Sequence, residues 1–193
     1  METAIGSTGV RKMAVIAMMT AVLCILCPFS LPVGPVPVTL GVFAVFLSAF
    51  CLPPAEAAAA CALYLLLGLT GLPVFAGYTA GPARLFGPTG GYLTGYLFLA
   101  FLTSLFVRIA GRNVPEGTLF ARRILLQTAG MLLGLAACYF FGTAWFCIQN
   151  KMAVAEALAI CVLPFLVFDA GKIAAALLCG NALRSALRRA RLL

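Results

Sequence analysis

Histidine is absent from this chain, tryptophan occurs once, and five acidic residues stand against thirteen lysines and arginines. Without histidine the commonest general base and metal ligand is missing. The few acids do not replace it. Glu2 and Glu116 fall in the amino-terminal tail and a connecting stretch, and Glu56 and Glu156 fall near predicted helix starts, where the helix dipole accounts for them. Only Asp169 lies well inside an apolar run, whereas a proton-driven pump usually carries several such carboxylates. An enzyme is therefore poorly supported, and no metal or other cofactor is expected. Charge of either sign is scarce, at 9% of residues with 64% hydrophobic and a mean hydropathy of +1.12. Soluble domains carry about 25% charged residues, so this composition belongs to lipid. No lysine follows the glycines of Gly87–Gly91, which excludes a Walker phosphate loop, and no G-x-G-x-x-G dinucleotide fingerprint occurs. The net charge of +8 forms no basic stripe with interleaved aromatics, so a nucleic-acid partner is excluded as well.

What the chain does contain is a series of apolar runs divided by short loops. A spanning helix needs about 20 apolar residues, with a lower limit near 17. Six candidates emerge: Met13–Cys27, Thr39–Cys51, Ala55–Leu69, Gly91–Ile109, Ile124–Phe141 and Ala155–Leu178. The second and third are short, and the Pro53-Pro54 turn between them also allows a re-entrant pair. The first follows Arg11-Lys12 like a signal peptide, but no small-x-small cleavage site and polar mature domain follow it, so it reads as a retained span. The expected fold is an all-α membrane protein of six transmembrane helices forming a single domain over residues 1–193. Ten of the thirteen basic residues then fall on the side of the two termini, and only Arg84 and Lys151 on the other, with Lys172 inside the last span. The positive-inside rule places both termini in the cytoplasm. The basic tail from Arg184 to Arg191 reads as an anchor on anionic lipid or as a docking surface for a cytoplasmic partner.

Most of the eight cysteines lie within apolar runs, where a thiol behaves as a small hydrophobe. Cys24-x-x-Cys27 has redox or metal spacing but sits in a predicted span with no histidine to complete a mixed site. Ala14, Ala17 and Ala21 recur on the first span, and Ala17-x-x-x-Ala21 would let another helix approach closely or serve packing within the chain.

Three stretches carry candidate chemistry. Gly71–Tyr92, GLPVFAGYTAGPARLFGPTGGY, is dense in glycine and proline and holds one arginine, Arg84. Such punctuation suits a backbone that turns and fits closely around something. Pro164–Lys172, PFLVFDAGK, places Asp169 and Lys172 three apart on one helix face. Ionisable groups in a span line a cavity or pair with one another, so this pair is either a structural ion pair or part of a ligand site. Pro164 should let the last helix bend toward that face. A proline-rich loop at residues 28–39 completes the set. One acceptor, Asp169, and two cations, Arg84 and Lys172, in an apolar setting suit a molecule with a hydrogen-bonding head and a carboxylate.

Together, Pro35-Val36-Pro37-Val38-Thr39-Leu40, the run from Gly71 through Gly87-Pro88-Thr89-Gly90-Gly91-Tyr92, and Pro164-Phe165-x-x-x-Asp169-x-x-Lys172 resemble the BioY family, the biotin-binding S-components of energy-coupling-factor (ECF) transporters. The resemblance extends over nearly the whole chain. Two positions depart from the family pattern: Gly41 stands where a glutamine is common, and Tyr78 where a glycine or polar residue is common. What the resemblance implies is an ECF S-component-like bundle in a prokaryotic plasma membrane. It would capture biotin from outside and work with a transmembrane T-component and two ATPase subunits. Asp169 would accept from a ureido N–H, Arg84 would pair with the valerate carboxylate, and Lys172 would donate to the ureido carbonyl or neutralise Asp169. Phe75, Tyr78 and Tyr92 would wall the bicycle, Thr39 would border the site, and Ala17 and Ala21 would dock the T-component. An S-component for another vitamin or small polar molecule, or a membrane scaffold with Asp169–Lys172 as a structural pair, are the alternatives.

Overall fold

A computed structural model describes residues 2–31, 36–112 and 120–190. Pro35 of the proline-rich loop, Glu116 and Arg191 lie outside the described residues, and of Glu2 and Arg112 only the backbone is described. The elements run α1 Glu2–Leu26, β1 Ser30–Leu31, β2 Val38–Thr39, α2 Gly41–Cys51, α3 Pro54–Leu69, α4 Pro82–Leu85, α5 Gly90–Arg112, α6 Phe120–Asn150, α7 Val154–Cys161 and α8 Leu163–Arg189.

Prolines set several of these boundaries. Leu52 is extended (φ −102°, ψ 152°) because a residue before proline is pushed out of the helical region. Pro54 then opens α3, where its missing N–H removes no helix bond. The expected last span, Ala155–Leu178, is instead two helices, α7 and α8, broken at Val162 (φ −121°, ψ −52°). Pro164 does not bend one continuous helix. It sits in the first turn of a new one, because its ring cannot accommodate the carbonyl four residues back. The fifth segment continues past Phe141 to Asn150. Two polar side chains hold this added stretch to the glycine-rich loop: Trp145 Nε1 donates to the Gly87 carbonyl and Gln149 Nε2 to the Phe86 carbonyl, each at 2.9 Å.

Successive segments alternate between two ends of the bundle. At one end, Lys12 of α1 meets Glu56 at the start of α3 (3.7 Å), and Ser104 Oγ on α5 donates to the Leu52 carbonyl (2.6 Å). Near the same end, Arg184 of α8 reaches the Val107 carbonyl. At the other end, Gly77 N donates to the Pro28 carbonyl (3.0 Å), and α4 meets the end of α6. The second end therefore gathers the proline-rich loop and the glycine-rich loop, and the first gathers the arginines.

Among the described residues, four helices are long and apolar enough to cross a membrane, with windows at Gly9–Leu26, Gly90–Gly111, Ala121–Asn150 and Leu163–Arg189. The outer surface is apolar: Leu125, Phe140, Ile148, Val167 and Leu178 stand out from the helices, mostly exposed. Such a surface suits hydrocarbon and is far too extensive for water. The interior is organised around α2, which has only 11 residues and is buried over nearly its whole length, as expected of a helix apolar on all sides. It packs on α5 and α8, and α1 and α3 close the other side. Helices α5 and α6 form the most extensive pair. Gly95 lies against Cys138, and Gly134 against Leu99 and Thr103, so that a Cβ at either would sit a tight 3.0–3.2 Å from its neighbours. Small residues at a helix interface bring backbones close where lipid supplies no hydrophobic drive. Ala17 and Ala21, by contrast, are exposed on α1.

Candidate functional site

The site forms where the proline-rich loop folds back over the ends of α5, α6 and α8. That loop is a small hairpin, with Ser30 opposite Thr39 and Leu31 opposite Val38 in an antiparallel pair. Two-residue strands leave no alternation for sequence reading to detect, which is why a plain loop was expected there. Thr39 turns inward from its end. Its hydroxyl accepts from Gly41 N (3.1 Å) and shares a hydrogen bond with the Tyr96 hydroxyl (3.3 Å). Gly41 is required by this contact, because a Cβ there would run into the Tyr96 hydroxyl.

Asp169 is the centre. It is 1% exposed, and both carboxylate oxygens are engaged. Lys172 Nζ donates to Oδ1 at 2.7 Å, and the Tyr139 hydroxyl, from α6, donates to Oδ2. Lys172 is itself nearly buried, its side chain 10% exposed. Isolated charges in such surroundings are costly, and the pairing with a third donor is what makes this position tenable.

Two chambers adjoin this group. One, of about 50 Å³, is lined by Asp169, Lys172, Tyr139, Phe165, Cys138 and neighbouring residues. The other, of about 60 Å³, is lined by Arg84, Phe75, Ala76, Thr89 and Leu93. Val36, Pro37, Thr39, Tyr92 and Tyr96 border both, so they form the partition between them. The structure thus brings Thr39, Phe75, Arg84, Tyr92, Asp169 and Lys172 around one divided space. Ligand pockets usually measure about 300–1,000 Å³, so in this state the space is closed. A much larger groove of about 580 Å³ lies on the other side of the hairpin, lined by Phe29, Leu31, Leu40, Phe43, Phe168 and others. It shares Thr39 and Lys172 with the Asp169 chamber. The groove has the room, but Lys172 is its only charged wall among the described residues, whereas the two chambers carry Asp169, Lys172 and Arg84.

Each candidate has a local reason for its place. Arg84 projects, exposed, from the one-turn helix α4, which starts at Pro82 just after Gly81 (φ 90°). Phe75 is 1% exposed, edge-on to Tyr64 with ring centroids 5.7 Å apart, and its ring lies against Gly68. Tyr92 bonds through its hydroxyl to Thr143 Oγ1 (3.1 Å). Tyr78 alone stands apart. It borders neither chamber, is 59% exposed, and packs edge-on to Phe29 at 6.0 Å. Its φ of 58° is the left-handed region that glycine adopts without cost. That accounts for the glycine common at this position in the family it resembles.

Sequence reading missed Tyr139 and Tyr96. It searched the apolar runs for ionisable groups, and a tyrosine in such a run passes for an ordinary aromatic. The available signal was that a buried tyrosine hydroxyl needs a partner.

The family model described as "BioY family" matches residues 1–189. The biotin transporter BioY2 of Lactococcus lactis is 35% identical over 182 residues, covering 94% of each chain. The probable biotin transporter BioY of Pyrococcus horikoshii is 32% identical over 174 residues, covering 90% of this chain and 96% of its own. Among solved structures, the S-component for biotin from an ECF-type ABC transporter matches with a TM-score of 0.75 at 26% identity, covering 94% of this chain and 93% of the other. Matched along nearly its full length in both sequence and fold, the chain belongs to the BioY family.

Proposed function

We infer that this chain is the biotin-capturing S-component of an ECF-type importer. It is a multi-pass protein of a prokaryotic plasma membrane and a transport subunit rather than an enzyme. The observation that carries the reading is Asp169, a buried carboxylate whose two oxygens are held by Lys172 and Tyr139 beside a chamber adjoining that of Arg84. Biotin offers two ureido N–H donors, a ureido carbonyl, an apolar bicycle and a terminal carboxylate. A ureido N–H takes the place of the Tyr139 hydroxyl on Asp169, Lys172 keeps Oδ1 and gives a second N–H to the ureido carbonyl, and Arg84 forks onto the carboxylate. Phe75, Tyr92 and Thr39 line the path between. For biotin to fit, the hairpin segment Val36–Thr39 moves so that the chambers merge with the larger groove.

All six traverses cross the membrane in this reading, the short α2 and α3 included, since each runs between the two ends of the bundle. The arginine end faces the cytoplasm by the positive-inside rule, so both termini lie there and the hairpin end faces outside. The exposed Ala17 and Ala21 form the surface for the T-component, which in turn holds the ATPase subunits.

Thermal unfolding of the purified chain with added biotin tests the assignment, because a ligand that binds only the folded state raises the midpoint with concentration. Biotin should give a saturating shift that is lost in Asp169→Asn. Arg84→Ala should weaken biotin yet bind biotin methyl ester as the unaltered chain does. If another vitamin shifts the midpoint while biotin does not, the substrate assignment is wrong. If Arg84→Ala retains full affinity for biotin, the carboxylate assignment fails.

A further inference from the structure

The end of the bundle opposite the hairpin carries a second polar construction. Arg184 of α8 is nine-tenths buried, and its hydrogen bond is a long one, 3.4 Å from Nη1 to the Val107 carbonyl on α5. Its charged neighbours are three more arginines, Arg108 on α5, Arg123 on α6 and Arg188 on α8. Arg123 is fixed in place: its Nη2 donates to Asn181 Oδ1 (3.1 Å), and Asn181 is clamped by Gln127, the two amides exchanging hydrogen bonds at 3.2 and 3.1 Å. Gln127 is fully buried. The Arg123 Nε is buried without a hydrogen-bond partner among the described residues. Helices α6 and α8 therefore hold the Arg123 and Arg184 guanidinium groups near one another, with the Arg123 Nε–H left over. The ion pairs among the described residues, Lys12–Glu56 and Lys172–Asp169, do not involve Arg123 or Arg184.

We propose that Arg123 and Arg184, with their arginine neighbours, form an anion site for the phosphodiester headgroup of an anionic membrane lipid. Guanidinium suits phosphate because its planar fork gives two parallel bonds. The surroundings select a lipid over a free anion. Leu178, one turn before Asn181 on the same face of α8, is 76% exposed. The site thus opens at the rim of the apolar outer surface, where a headgroup sits above its acyl chains. Neutralising the cluster relieves repulsion among groups that the fold holds together, so the lipid stabilises the α5–α6–α8 junction.

The test is thermal unfolding of the detergent-purified full chain, titrated with phosphatidylglycerol, phosphatidylcholine or inorganic phosphate. Phosphatidylglycerol should raise the midpoint in a saturating manner, and the other two should not at the same concentrations. Arg123→Gln and Arg184→Gln should each weaken the apparent affinity for phosphatidylglycerol about tenfold, the usual order for one charge-assisted bond, while the shift given by biotin is retained. Where Arg184→Gln does not fold, Arg123→Gln and Arg184→Lys decide. Equal shifts with phosphatidylcholine, a matching shift with inorganic phosphate, or unaltered affinity in the variants would each overturn the proposal. So would a phosphatidylglycerol response that emerges only in Glu116→Gln, which would show the chain's own carboxylate filling the site.

Discussion

Tyr139→Phe separates a group that grips the ligand from a group that keeps its place. In the closed state the Tyr139 hydroxyl donates to Asp169 Oδ2, and Lys172 holds Oδ1 at 2.7 Å. Removing the hydroxyl leaves one oxygen of a 1%-exposed carboxylate without its donor. An unsatisfied buried group of this kind costs about 1–3 kcal/mol, and in the ligand-free protein that cost is felt in full. In the biotin complex a ureido N–H supplies the missing donor, so the cost disappears. The variant should therefore be less stable without ligand by about 1–3 kcal/mol and should bind biotin more tightly, by about tenfold for each 1.4 kcal/mol recovered. Thermal unfolding with and without biotin, paired with calorimetric titration, reads both quantities on one preparation. A loss of affinity alongside the loss of stability would refute the reasoning, because Tyr139 would then hold Asp169 in both states and the ureido group would displace Lys172 instead.

Three further outcomes follow from the geometry. Gly41→Gln, which installs the residue common in the family, should destabilise the chain by about 1–3 kcal/mol in thermal unfolding, because any side chain there forces Tyr96 away from Thr39. Tyr78→Gly should leave biotin affinity within about twofold by calorimetry. Its relief of the positive-φ strain, about 1–2 kcal/mol, is partly offset by loss of the Phe29 ring contact, about 0.5–1.5 kcal/mol. Asp169→Asn should cost about 3–5 kcal/mol by stranding the buried Lys172 ammonium, and Asp169→Asn with Lys172→Met should regain most of that stability without regaining biotin binding. A double variant that binds biotin normally would make the pair purely structural.

The apolar segments were legible because each is far more hydrophobic than the loops that bound it. The Asp169–Lys172 pair was legible because charge is so rare that two ionisable groups at helical spacing stand out. What escaped sequence reading depends on contacts between segments. The break at Val162 could be read from Pro164 only as a bend, since proline both kinks and starts helices and the choice rests on tertiary packing. Tyr139 lies thirty positions before Asp169 on another helix, and nothing local to it announces a carboxylate partner. The arginines at the opposite end read in the sequence as positive-inside charge, with Arg184 as part of the basic tail. Their convergence depends on the Gln127–Asn181 clamp, which joins α6 to α8.

Helix α8 connects the two polar constructions. It is continuous from Leu163 to Arg189 and carries Asp169 and Lys172 near one end and Asn181 and Arg184 near the other. From Asp169 to Arg184 is fifteen residues, about 22 Å of helix axis. Between them Gly180 lies against the Phe50 ring, where a Cβ would meet the ring carbons at 2.7–3.0 Å, so α8 is seated on the buried helix α2 close to its arginine end. A helix fixed near one end moves most at the other, and here the freer end carries the ligand group. Exchanging Tyr139 for biotin on Asp169 loosens the link from α8 to α6 at that end, while Asn181 and Arg184 keep the opposite end tied to α6 and α5. Adjustment on ligand capture should therefore concentrate in the first half of α8 and in the hairpin above it. The α5–α6 pair, the most extensive in the bundle and close-packed at Gly95 and Gly134, serves as the frame.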